Sequence, residues 1–239
     1  MTELRDIDVV VFDILGTLVD DTGGLRAAIR HAAPGTDEAA ADELYAVWQR
    51  HIDQEHHRIA QGQRAYADSD VLDAEAARQV AAKAGITDPD TVARLATAGR
   101  RHSPWQDSAA GLARLARHFR VLGLSNASSS ALLDLHAHSG LRWHLVLSGQ
   151  AIAAYKPAPA AYRFALDTAG CAPDRALMVA THAWDLRGAQ ACGMRTAYVH
   201  RPGGDPPADS DTFDGWFGGM EELATALTPD DRPGDGHPG

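Results

Sequence analysis

Residues 8–20 read DVVVFDILGTLVD, and the fold turns on them. Asp8–Phe12 is a short β-branched run, the composition of a strand buried on both faces of a parallel sheet. Asp13 follows it at once, and Gly16 and Thr17 then open a loop. Working outward, one pattern repeats after Pro104-Trp105. Helix-like Ser108–His118 leads to strand-like Phe119–Leu124, and Ser128–Ser139 to Trp143–Leu147. Ala160–Ala169 leads to Ala176–Ala180, and Trp184–Ala191 to Arg195–Val199. Such alternation predicts βαβ units in a parallel sheet. Reactive groups in such sheets gather beyond the carboxyl ends of the strands. Asp13, Thr17, Ser125, Asn126, Lys156, Thr181, His182 and Asp185 all stand at those ends or in the loops after them.

The stretch from Gly23 to Arg101 has a different texture, rich in Ala, Glu, Gln, Arg and His, with no strand pattern. Asp37–Ile59 and Leu72–Ala84 carry apolar residues at helical spacing, for example Leu44, Val47, Trp48 and Ile52. The expected organisation is therefore a Rossmann-like α/β core from 1–19 and 104–227, with a helical block, 20–103, inserted after the first strand. Arg201–Asp211 reads as a loop, Met220–Leu227 as a last helix, and 228–239 (TPDDRPGDGHPG) as a disordered tail.

Composition narrows the function classes. The 239 residues are 45% hydrophobic and 23% charged, an ordinary globular balance. A net charge of −10 disfavours nonspecific nucleic-acid binding, because no basic excess exists to neutralise phosphates. No stretch approaches the roughly 20 apolar residues of a membrane span, and MTELRDIDVVVFD is not a signal peptide. Cys171 and Cys192 form no CxxC, so two reduced thiols in a cytoplasmic protein are expected. Glu55-His56-His57 lacks HExxH spacing and reads as a solvated helix face.

Four segments together resemble the haloacid dehalogenase superfamily. VVVFDILGTLVD resembles its first motif, LGLSNAS its second, YKPAPAAY its third and MVATHAWDLRGA its fourth, in order, within residues 7–200. Two positions choose the branch. The metal-dependent phosphatases carry a second aspartate two residues after the nucleophile, where this chain has Leu15. They also place an acid where it has Thr181. Mg²⁺ wants carboxylate oxygens, so no metal and no cofactor are expected. The same positions resemble the L-2-haloacid dehalogenases.

That resemblance implies the chemistry. Asp13 displaces halide from C2 of a 2-haloalkanoic acid, and water then hydrolyses the aspartyl ester; this is covalent catalysis. Lys156 supplies positive charge, and Asp185 pairs with it and helps place the water. Thr17 and Asn126 support Asp13 and the ester. Ser125 and the backbone amides near Ile14 and Leu15 hold the substrate carboxylate. Tyr162, His182 and Trp184 complete the substrate site, although Tyr162 also suits the core. Trp48 and Trp105 suit either the cleft or its packing.

Two residues depart from the pattern. The family arginine that receives the halide corresponds to Gln49; Arg50 is next to it but about 100° around the helix, and Arg58 is a second candidate. A surface charge is the plainer reading of Arg50. The fourth-motif asparagine is His182. Another small 2-substituted acid, such as a strained ring amino acid, therefore stays open as substrate. A phosphatase and a noncatalytic binding protein are weaker alternatives. The partner implied is a small anionic substrate, and members of the branch are often homodimers.

Overall fold

Strand β1 (Val9–Phe12) has all four side chains buried, and its period of two splits them between two cores. Val10 and Phe12 join one apolar cluster, Val9 and Val11 the other. The computed structural model describes Leu4 and residues 6–228. Around β1 stand β2 (Arg120–Ser125), β3 (Leu145–Ser148), β4 (Ala176–Ala180), β5 (Arg195–Val199) and β6 (Gly215–Phe217). All pairings are parallel, in the order β3-β2-β1-β4-β5-β6. The chain crosses from β3 at one edge over to β4 on the other side of β1. That reversal opens a crevice at the carboxyl end of the central strand, where Asp13 sits.

Helices cover both faces. α5 (Ser108–Leu115), α6 (Ser129–Ser139) and α9 (Met220–Leu227) pack against the Val10–Phe12 side through Leu112, Leu115, Leu132, Leu135 and Leu223. α7 (Pro159–Ala169) and α8 (Ala183–Gln190) cover the other through Tyr162, Leu166 and Leu186. The predicted boundaries agree within a few residues. The strand expected at Trp143 starts at Leu145 instead, because Trp143 turns onto the core beside His136. β6 escaped the pattern: it has three residues, one a glycine and one an exposed tryptophan at the sheet edge.

Between β1 and α5 lie α1 (Asp21–Ala32), α2 (Glu38–Ala60), α3 (Ser69–Ala84) and α4 (Pro89–Ala96). Each starts at an aspartate whose carboxylate accepts a backbone N–H of its first turn: Asp20, Asp37, Asp68 and Asp88. They bury their own cluster of Leu25, Ile29, Leu44, Trp48, Val80 and Leu95. The block leaves and rejoins the sheet at one place. Asp20 N donates to Ser103 O (2.9 Å), and Val19 bridges Pro104.

Both cysteines are free. Among the described residues no helix is long and apolar enough to cross a membrane. The tail expected to be disordered lies, after Thr228, outside the described residues.

Candidate active site

Asp13 is the first residue beyond β1, and its side chain is 6% exposed. Two side chains donate to it, Thr17 from the same loop and Lys156 from a distant part of the chain. Lys156 Nζ donates to Asp13 Oδ1 (2.7 Å) and to Asp185 Oδ2 (2.5 Å). Thr17 Oγ1 donates to Asp13 Oδ2 (2.7 Å) and accepts the Thr181 N–H (3.0 Å), which ties the first loop to the end of β4. Burial works against the lysine charge, but the two carboxylates outweigh it and hold the Lys156 pKa above its ordinary value. The result is a buried Asp13–Lys156–Asp185 row, in which burial raises the Asp185 pKa and the Lys156 charge opposes the rise.

Lys156 is itself held by its backbone. Asn126 Oδ1 accepts the Lys156 N–H (2.7 Å) and Asn126 Nδ2 donates to Lys156 O (3.2 Å), so the second motif clamps the third. Asp185 has no exposed side-chain surface; Tyr162 donates to its Oδ1 (2.7 Å) and its backbone oxygen (3.0 Å). Burial and the Asp185 charge push the Tyr162 pKa far up, so the phenol stays a donor. Ser125 Oγ accepts the Ala127 N–H (3.2 Å) at the end of β2.

Asp13, Ser125, Asn126 and Lys156 form the floor of a cavity of about 720 Å³, with Thr17, Asp185 and Tyr162 supporting it from behind, and α1, α2, α3 and the turn after α4 roof it. Of the expected residues, Asp13, Leu15, Ser125, Asn126, Lys156, His182, Trp184 and Gln49 line it. Gln49 donates to Tyr45 Oη, also on the wall. Others lie elsewhere. The Ile14 side chain points into the core against Gly123. Tyr162 lies behind Asp185, fully buried and off the wall, so its role is to hold that carboxylate. Arg50 is exposed on the outer side of α2. Arg58 is bound to Glu55 at 2.9 Å and is also off the wall. Trp48 both packs the helical block and lines the cavity, whereas Trp105 donates to Gly16 O (2.9 Å) and packs.

The expectation of a solvated face at Glu55-His56-His57 is corrected: Glu55 is buried under Arg64 and His56 lines the cavity against the Tyr155 ring, leaving only His57 exposed. Residues 45, 49, 52 and 56 share a helical stripe, but its mixed polarity hides it from an apolar periodicity. Asp21, Asp73 and His102 were also missed. Burial raises the Asp21 pKa, opposed by His182. It pushes Asp73 up to about 7, aided by Asp70, and His56 and His102 down to about 4. An apolar side pocket of about 100 Å³ continues past Leu15 and Asn126 toward Leu72, Ala131 and Leu135.

An (S)-2-haloacid dehalogenase of Pseudomonas putida, H-109, is 29% identical over 205 residues, 84% of this chain and 88% of that protein. The structure of a defluorinating L-2-haloacid dehalogenase superposes with a TM-score of 0.84 at 29% identity, covering 93% of this chain and 96% of its own. That of the L-2-haloacid dehalogenase of Xanthobacter autotrophicus with chloropropionic acid covalently bound has a TM-score of 0.78 at 25% identity, covering 92% and 98%. The model of the haloacid dehalogenase-like hydrolases matches residues 7–193, and this chain belongs to that family.

Proposed function

We propose that the protein hydrolyses the carbon–halogen bond of a small (S)-2-haloalkanoic acid through an ester on Asp13, releasing halide and the 2-hydroxy acid. The observation that carries this reading is the buried carboxylate of Asp13. It is aligned by Thr17 and Lys156 at the floor of a cavity, with Leu15 and Thr181 where phosphoryl transfer wants acids. A solved relative carries chloropropionic acid as a covalent adduct, which supports the two-step course.

Asp13 attacks C2 in line, and the halide leaves with inversion. Lys156 steadies Asp13 without needing metal charge, while Asp185 and Tyr162 keep Lys156 in place. Ser125 and the amides near Leu15 hold the substrate carboxylate. The helical block acts as the cap that closes over it. On the family resemblance alone, we also read the protein as a cytoplasmic homodimer. A second reading, a 2-substituted acid with a leaving group other than halide, is favoured by one observation. Among the described residues, no arginine lines the main cavity, Arg100 of the side pocket is paired with Asp70 and Asp134, and Gln49 stands where a halide-binding arginine is expected.

Halide release from L-2-chloropropionate and chloroacetate in EDTA, with p-nitrophenyl phosphate in parallel, tests the proposal. Metal-free halide release supports it. Phosphate release restored by Mg²⁺ overturns it, and neither product shifts weight to the second reading.

A further inference from the structure

We propose that His182 is the general base that activates water for hydrolysis of the Asp13 ester. The inference rests on the reading of Asp13 as the ester-forming nucleophile. The second half-reaction needs a proton acceptor that water can reach beside the Asp13 carboxyl carbon. The groups around Asp13 differ sharply in this respect.

Lys156 has no lone pair to offer, since its ammonium is shared by two carboxylates and held charged. Thr17 is fully buried and its hydroxyl already donates and accepts. Asp185 is the residue that the resemblance gives for placing the water, yet here its side chain has no exposed surface. Its Oδ2 is taken by Lys156 and its Oδ1 by Tyr162, and it is not on the cavity wall. Its place in the floor is that of a positioning residue for Lys156.

His182 has what the others lack. Its imidazole is on the cavity wall with a fifth of the side chain exposed, and Nε2 lies 3.9 Å from Asp13 Oδ2. A water at hydrogen-bond length from Nε2, about 2.8 Å, is thus within reach of the carboxyl carbon. The ring is held by stacking on Trp184, at 5.7 Å and 21°. Gly16, with φ +79°, makes room for it: a Cβ there would stand 2.7 Å from Nε2. Nε2 also lies 3.3 Å from the Leu15 carbonyl, too long for a strong bond in the resting state but an acceptor for the N–H of the imidazolium once formed. Asp21 on α1 also lines the cavity beside Gly16. The family asparagine at this position cannot take a proton; an imidazole can.

The step balances as follows. Water oxygen bonds to the Asp13 carboxyl carbon while its proton passes to His182 Nε2. The tetrahedral adduct then breaks its bond to the substrate oxygen, which recovers the proton from His182 and leaves as the 2-hydroxy acid. Asp13 emerges as the carboxylic acid and returns to the carboxylate by releasing the second water proton to solvent.

Rapid quench of wild-type protein and His182→Asn with L-2-chloropropionate, followed by halide assay and mass spectrometry of the Asp13 peptide, tests this. The expected result for the variant has three parts. One equivalent of halide appears in a burst, the ester accumulates, and steady-state kcat falls by about 10²–10⁴. Ester formation in the variant is its own proof of a folded site. A kcat within threefold of wild type overturns the proposal, as does a slow variant in which no ester builds up. Absence of halide from the wild-type protein itself overturns the dehalogenase reading, and this inference with it.

Discussion

The floor and the roof of the cavity meet the same difficulty, ionisable groups out of water, in opposite ways. On the floor Asp13, Lys156 and Asp185 are paired, each within 2.7 Å of its partner, and the pairing holds the Lys156 pKa up and opposes the burial that raises Asp185. On the roof His56 and His102, pushed down to about 4, have shed the charge that burial penalises, and Asp73, pushed up to about 7, resists taking one on. Paired charges must be set to a fraction of an ångström, so each floor residue depends on the others. Neutralised groups depend only on local solvation and tolerate substitution. The floor is therefore suited to fixed chemistry and the roof to a variable substrate.

Breaking the floor should cost most. Asp13→Asn removes the nucleophile, and kcat should fall by at least ~10⁴. Steady-state halide release checks this, and a variant keeping a tenth of the activity would exclude Asp13 from that role. Lys156→Met leaves two buried carboxylates facing each other with no cation. Loss of one partner of a buried ion pair costs about 3–5 kcal/mol, to be read from urea unfolding, together with loss of ester formation. An unchanged midpoint would mean that the pair is balanced elsewhere.

The roof should respond more mildly and with pH. Asp73 has a folded pKa raised to about 7, above its unfolded value of 3.8, so the unfolded chain loses this proton first. Folding stability from this group therefore declines as pH rises from about 4 to about 7 and then levels. Asp73→Asn should melt as wild type does at pH 4 and, above pH 7, gain on the order of 1 kcal/mol, roughly 2–4 °C in Tm. Equal melting curves at pH 8 would show that the carboxylate is well solvated. Arg50→Ala should change kcat/KM less than about twofold, because that side chain lies on the exposed side of α2. A tenfold loss would bring Arg50 to the substrate and erase the contrast.

The same contrast explains what was legible in the sequence. Floor residues follow the carboxyl ends of strands, where the crevice rule applies: Asp13 is the first residue past β1, Ser125 the last of β2, Lys156 stands in the loop after β3 and Asp185 in the first turn of the helix after β4. Their partners were less visible: no local pattern says that Tyr162 reaches Asp185, although Gly188, whose Cβ would stand 2.4 Å from the Tyr162 hydroxyl, marks the close approach. Roof residues come from three helices and a turn, and helical periodicity reports the apolar stripe that packs inward, not a mixed stripe facing a cavity. Arg201, buried on Asp107 and the Thr17 carbonyl, was hidden in a loop of glycines and prolines.

One feature of the connectivity bears on how such a molecule can diversify. The helical block departs after Val19 and returns at Pro104, and its two ends are hydrogen-bonded side by side. A segment whose ends meet imposes no register on the strands beside it. Helices there can lengthen, shorten or be exchanged whole, while Asp13 keeps its place at the end of β1. The pair of junctions at Val19/Asp20 and Ser103/Pro104 thus marks a natural splice site. A block taken from a relative and grafted there would bring new substrate preferences to an unaltered nucleophile.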